Sequence, residues 1–301
     1  MSTQDFKAAA TALFLALGLM VASAATASVV VDITATNTAT ATISITDAND
    51  IAYDAVVTIA FDNAVNLSAD SLNLTATLID PNNPPATLPA GVSVDPAFPM
   101  LISVEPPVVL FLNGFEANQT GNGGLAFYDT YQFEVHTADL SCSSMTSSYR
   151  LYKAPHGSTA FADITDGIYS GSVRARGRGG AFSQFLIVRD TRLPLLVATE
   201  KLANLTARLL ASTVNGGLLP TLTALLTTVG VDLLTNIAGA IAALDQFIQN
   251  VTAAAGTDIA NEWIAGGSLS NDAGELISLA ETLRFTLTLL QGNPLCLPPS
   301  D

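Results

Sequence analysis

The residues with the widest chemical range are scarce: two histidines, two cysteines and one tryptophan in 301 residues. His136 alternates with Gln132 and Glu134 on the polar side of a strand whose other side is Tyr131, Phe133 and Val135. A solvated imidazole, or one bonded to Glu134, is expected there rather than a general base. His156 sits in Pro155-His156-Gly157, a turn sequence that predicts an exposed tip. There is no Gly-x-Ser-x-Gly elbow, His-Glu-x-x-His pair or phosphate-cradling P-loop, so the sequence nominates no catalytic residue. With 26 Asp and Glu, a hydrolase working through two carboxylates is the alternative. No acidic pair stands out, however, and Trp263 is the only indole that could stack on a sugar.

Cys142 and Cys296 are too few for a structural zinc site and too far apart for a redox CxxC pair. In an exported chain they are expected to form one disulfide, tying the C-terminus to the middle of the sequence. Arg174, Arg176 and Arg178 alternate, so an extended chain puts three guanidiniums on one face. They could contact an anion or acidic polymer; the plainer expectation is that they face carboxylates of the preceding strands, or water. Asp47, Asn49, Asp50 and Asp54 could ligate calcium weakly, as could 80–83. Neither group has the glycine and terminal Glu of an EF-hand loop, and Asx-rich turns explain both as well. No other cofactor is expected.

These residues must be held by two different kinds of element. Residues 1–27 read as an export signal: Lys7, an apolar stretch over 8–21, then small residues matching a cleavage site. The stretch is shorter than the roughly 20 residues that span a membrane. From 28 to 192 short period-two runs alternate with Asp, Asn, Pro and Gly clusters. Ala55, Val57, Ile59 and Phe61 form one run; Leu72, Leu74, Ala76 and Leu78 form another. The reading is an antiparallel β-sandwich of immunoglobulin-like style, with one strand placed over 108–112. From 193 to 292 the period becomes helical, in three stripes: Ala198 to Leu209, Leu222 to Ile248, and Leu276 to Leu290. The class is therefore α+β, a sandwich followed by a three-helix bundle and a short tail at 293–301. Residues 285–289 also alternate with period two and could be a strand. The apolar segment 218–244 carries Asp232, Asn236 and several threonines, so it reads as a core helix rather than a membrane span.

Charge is uneven. Residues 28–149 hold 13 acids and no Lys or Arg; 150–208 hold nine bases and four acids; 209–301 hold one Arg and eight acids. A net charge of −15 argues against nucleic acid and anionic lipid as partners.

Phe98–Pro107, Phe133–Leu140, Arg150–Arg192 and Gly256–Leu289 together resemble an uncharacterised family of exported bacterial proteins. That resemblance implies an envelope or secreted location and transfers no activity. Separately, Tyr149–Tyr152, Phe161–Thr165 and Phe182–Phe185 are similar to the closing strands of ZU5-like sandwiches. Some of those cleave themselves at His-Phe-Ser, where the His assists the Ser hydroxyl. Here the tripeptide is Ala181-Phe182-Ser183, so the chain is expected to stay intact. The sequence thus points to an exported, periplasmic or secreted, non-catalytic protein with a binding, adhesion or structural role and a protein or polymer partner.

Overall fold

The computed structural model describes residues 26–108, 124–142, 148–267, 270–292 and 296. The export signal, except its last two residues, and most of the strand expected at 108–112 lie outside the described residues, as does the tail apart from Cys296.

The period-two runs form two antiparallel sheets. The first is ordered β1 (Thr26–Ala35), β2 (Thr38–Thr46), β3 (Ala52–Val65), β7 (Ala126–Cys142), β11 (Gly171–Gly179) and β10 (Thr165–Tyr169). A short strand, β13 (Glu262–Ile264), pairs with the start of β7. The second sheet is ordered β4 (Leu74–Leu78), β6 (Met100–Val104), β12 (Ser183–Asp190), β8 (Tyr149–Pro155) and β9 (Ala162–Asp163), with β5 (Val92–Val94) also on β12. A single helical turn, α1 (Ala69–Leu72), precedes β4.

Alternation decides which face is covered. Ala39, Ala41, Ile43 and Ile45 of β2 and Ala55, Val57, Ile59 and Phe61 of β3 point into one core with Ile102, Leu151, Phe185 and Ile187 of the second sheet. Phe133 of β7 stacks on Phe185 of β12, ring centroids 3.7 Å apart, so the sheets share an interior. Phe61, Phe127, Tyr131, Phe182 and Trp263 fill one end of it as an aromatic cluster.

Among the described residues the second half contains four long helices, not three: α2 (Pro194–Ala211), α3 (Leu218–Asp232), α4 (Ile237–Ala254) and α5 (Asp272–Leu290). The apolar stripe expected as one helix from Leu222 to Ile248 breaks at 233–236. There the Asp232 carbonyl accepts from Thr235 and Asn236 N–H, and the Asn236 side chain caps α4 by accepting from Gly239 N–H at 3.1 Å. Residues 285–289 are helical. Helix α5 is buried on two sides. Leu276, Leu283 and Leu287 pack with α2, α3 and α4, while Phe285 enters the core of the sheets. Gly180, in the turn before β12, permits this approach, because a Cβ there would strike the backbone of Gly274 and Glu275. No described helix is long and apolar enough to cross a membrane.

Candidate functional site

A pocket with a volume of about 420 Å³ lies where the α4–β13 loop meets β7 and the α2–α3 turn. Gly256, at φ 75°, ends α4 and starts this loop. Buried Ile259 anchors it, and Asn215 N–H donates to the Asp258 carbonyl at 2.9 Å. Asn261 and Asp129 bond each other twice, through Asn261 Nδ2 to Asp129 Oδ1 at 2.7 Å and Asp129 N to Asn261 Oδ1 at 3.2 Å. Tyr128 donates to Glu262 Oε1 at 3.0 Å, and that bond, with partial burial, raises the phenol's pKa. The lining holds two carboxylates, Asp258 and Glu262, with hydroxyls from Thr213, Thr257 and Tyr128 and amides from Asn215 and Asn261; no Lys or Arg lines it. Such a wall attracts groups that donate hydrogen bonds or carry positive charge, and it repels anions.

A second cavity, of about 110 Å³, lies at the seam between the second sheet and α2, bordered by Tyr152, Asp163, Arg192, Glu200 and Lys201. Lys201 occupies the apolar stripe of α2, between Ala198 and Leu205, and is 4 % exposed. Its ammonium lies 2.7 Å from Asp163 Oδ2, and it donates to Thr282 Oγ1 (2.6 Å), Thr286 Oγ1 (3.0 Å) and the Thr282 carbonyl (3.1 Å). Burial pulls the Lys201 pKa down more than Asp163 raises it. Beside it Arg192 binds Asp190, Glu200 and the Tyr152 hydroxyl. Burial pushes the Asp190 carboxyl up, yet Arg192 and Tyr152 together hold it below the usual range.

Other charged clusters tie α5 to the second sheet and to α2, and join strands within the second sheet. Glu275 of α5 accepts from Lys153 Nζ at 3.2 Å and Gly180 N–H at 3.0 Å. Burial opposes its charge, but the Lys153 ammonium and these donors outweigh that and keep its pKa low. Asp272 accepts from Arg208 at 2.7 Å and Thr213 N–H at 3.0 Å. Asp95 likewise binds Arg189 and Tyr149.

Residues 13–291 match the model of a family of unknown function, DUF6689. The chain belongs to that family. The match runs through both sheets and all four long helices, and so includes the pocket and the seam. No curated protein and no solved structure matches the chain.

Of the residues singled out from sequence, the two cysteines are brought together: Cys142 and Cys296 form a disulfide across a separation of 154 residues. The three arginines do share a face of β11. Arg176 and Arg178 are bridged by one carboxylate, Asp166 of the neighbouring β10, at 2.7 and 3.1 Å, while Arg174 lies opposite His136. Arg176 also stands opposite Glu134 of β7, so the arginines face one acid of the preceding strands and one, Asp166, that follows them. His136 pairs with Ser172 Oγ at 2.7 Å instead of Glu134; burial, then Arg174, lower its pKa. His156 is 2.8 Å from Glu105 at an exposed turn. Asp47 accepts from Asn49 and Ile51 N–H at 2.8 and 2.9 Å, closing an Asx turn around Asp50, while Asp54 N–H bonds Asp139. Among the described residues no three His, Cys, Asp or Glu are grouped to hold a metal ion. Phe182 is buried on Tyr131, and the Ser183 hydroxyl donates to the Ala181 carbonyl at 3.3 Å. Trp263 stacks on Phe127 at 5.2 Å. Lys201, Asp163, Glu275 and the pocket residues were not singled out from sequence. A lysine on an apolar stripe was the one signal available.

Proposed function

We propose that this is an exported, non-catalytic binding protein of the periplasm or extracellular space, whose ligand enters the acidic pocket beside β13. The two facing sheets serve as a β-sandwich of immunoglobulin-like style, and the helical half completes the pocket. The observation that carries this reading is the pocket's lining: seven polar or acidic side chains and no basic one around about 420 Å³. Away from the pocket, buried acids and bases are spent on one another: Asp163 with Lys201, Glu275 with Lys153, Asp272 with Arg208. The ligand class that fits is a hydroxyl- or amine-rich segment of an extracytoplasmic polymer. A glycan with free amines suits it better than a phosphorylated one.

The second reading is a carboxylate hydrolase of such a polymer, and it rests on Asp258 and Glu262 lining one pocket. Calorimetric titration with neutral, amine-bearing and anionic oligosaccharides, followed by product analysis, separates the two. Binding of neutral or amine-bearing oligomers, weakened by Asp258→Asn or Glu262→Gln, with the oligomers recovered whole, supports the binding protein. Shortened oligomers establish the hydrolase. Preference for the anionic set refutes both.

A further inference from the structure

Asp163 of β9 and Lys201 of α2 form a buried ion pair at the seam. Both side chains are more than nine-tenths buried, and Nζ stands 2.7 Å from Oδ2. Asp163 Oδ2 is the single buried side-chain polar atom of the described residues that makes no aligned hydrogen bond. Its partner is the Lys201 ammonium, in contact but not aligned as a hydrogen bond. The other oxygen, Oδ1, accepts from Thr165 N–H at 2.8 Å. Lys201 faces four oxygen acceptors with three protons. The 110 Å³ cavity is lined by both residues, which is room for a few water molecules.

We propose that Lys201 and Asp163 condense to an intramolecular isopeptide bond, welding β9 to α2. Transfer of one proton from the ammonium to Oδ2, in contact at 2.7 Å, converts the ion pair into a neutral amine and a carboxylic acid. The amine lone pair then attacks Asp163 Cγ, and the negative charge gathers on Oδ1, where Thr165 N–H already points. The Oδ2 hydroxyl leaves with a proton from the nitrogen, so the C–O bond breaks as the N–C bond forms. The only product besides the amide is one water, released into the cavity. No oxidant, metal or co-reactant is needed, and fixed proximity replaces a second-order encounter. Burial and the Arg150 charge, which depress Lys201 against the pull of Asp163 and Asp190, keep the amine available. The facing groups Tyr152, Arg192 and Glu200 are tied to Asp190 and to one another. The Thr282 and Thr286 hydroxyls hold the nitrogen against β9. This bond is independent of what the acidic pocket binds.

Intact mass spectrometry of the purified, reduced chain reads it directly. The expected mass is one water below that calculated for the purified polypeptide from its own N-terminus, with Lys201→Arg at full calculated mass because a guanidinium keeps the ion pair but does not condense. A tryptic digest should yield residues 154–174 joined to 193–208, uncut after Lys201. Wild-type chain at full mass, cut after Lys201, overturns the proposal. So does a Lys201→Arg chain that has also lost a water, since the loss then lies elsewhere. The wild-type digest alone decides the matter if the variant fails to fold.

Discussion

Replacing Cys296 with serine opens the covalent loop that begins at Cys142. Its cost can be worked from the separation of 154 residues. In the chain-entropy description, closing a loop of that length removes unfolded-state freedom worth about 5 kcal/mol at 25 °C, an upper figure. For a chain of this size each kcal/mol moves the melting temperature by about 2–4 °C, so the variant should melt about 10–20 °C lower. Serine at 296 is the cleaner perturbation. Cys142 is 1 % exposed within the core of the sheets, whereas Cys296 only packs against that core. An Asp163–Lys201 bond would shorten the loop by under 40 residues, which changes the entropy by only about 0.2 kcal/mol. The two cross-links are therefore separable. The assay is thermal and guanidinium unfolding followed by circular dichroism on the oxidised chain, the reduced chain and Cys296→Ser. Reduced chain and variant should coincide. A variant melting within about 3 °C of the oxidised chain would refute the reasoning, showing that the bond constrains nothing the unfolded chain would otherwise explore.

Acid should destabilise the fold. Asp95, Asp190, Asp272 and Glu275 all have folded pKa values below their ordinary ones, so the unfolded chain binds more protons as pH falls. Their contribution is complete above the ordinary carboxylate range near pH 4 and is lost below it; Glu281, raised mainly by burial, runs the other way and offsets a part. Urea midpoints measured from pH 7 to pH 3 should fall, and a flat profile would contradict the ion-pair seam. Gly180→Ala forces a methyl into the backbone of α5 and should cost about 1–3 kcal/mol, read as a lower urea midpoint with unchanged slope. Asn236→Ala removes the cap that starts α4 and should cost about 1 kcal/mol; no change in melting temperature would mean the α3–α4 break is held by packing alone. Calcium and chelator should leave the melting temperature unmoved, because Asp47 already serves its own turn; a calcium-dependent rise would revive the Asp47–Asp54 site.

What was legible in the sequence was periodic or scarce. Strands β2 and β3 announce themselves because one face is buried along their length, so every second residue must be apolar. Strand β10 does not, since Thr165–Tyr169 carries Asp166 and Gly167 and its inward positions do not alternate. The disulfide was legible because only two cysteines exist. The split between α3 and α4 was hidden, because the two helices pack on each other and bury their apolar residues in one shared core, so one stripe continues through the turn. Asp232 and Asn236 then look like polar interruptions of a helix rather than its end and the next cap.

The sites were hidden for a different reason. Tyr128 and Glu262 are 134 positions apart, and Lys153 and Glu275 are 122 apart. Asp163 belongs to a two-residue strand that no periodicity marks. Each pair is made where α5, α2 or β13 meets a strand distant in sequence, so neither member carries a local pattern pointing to the other. Lys201 is the exception. A lysine three residues after Ala198 and four before Leu205 takes a core position on an otherwise apolar stripe. A charge placed there must find a partner on whatever the helix packs against, or lose its proton. That single breach of the stripe predicts a buried acid on the facing sheet, and the chain supplies Asp163 at 2.7 Å.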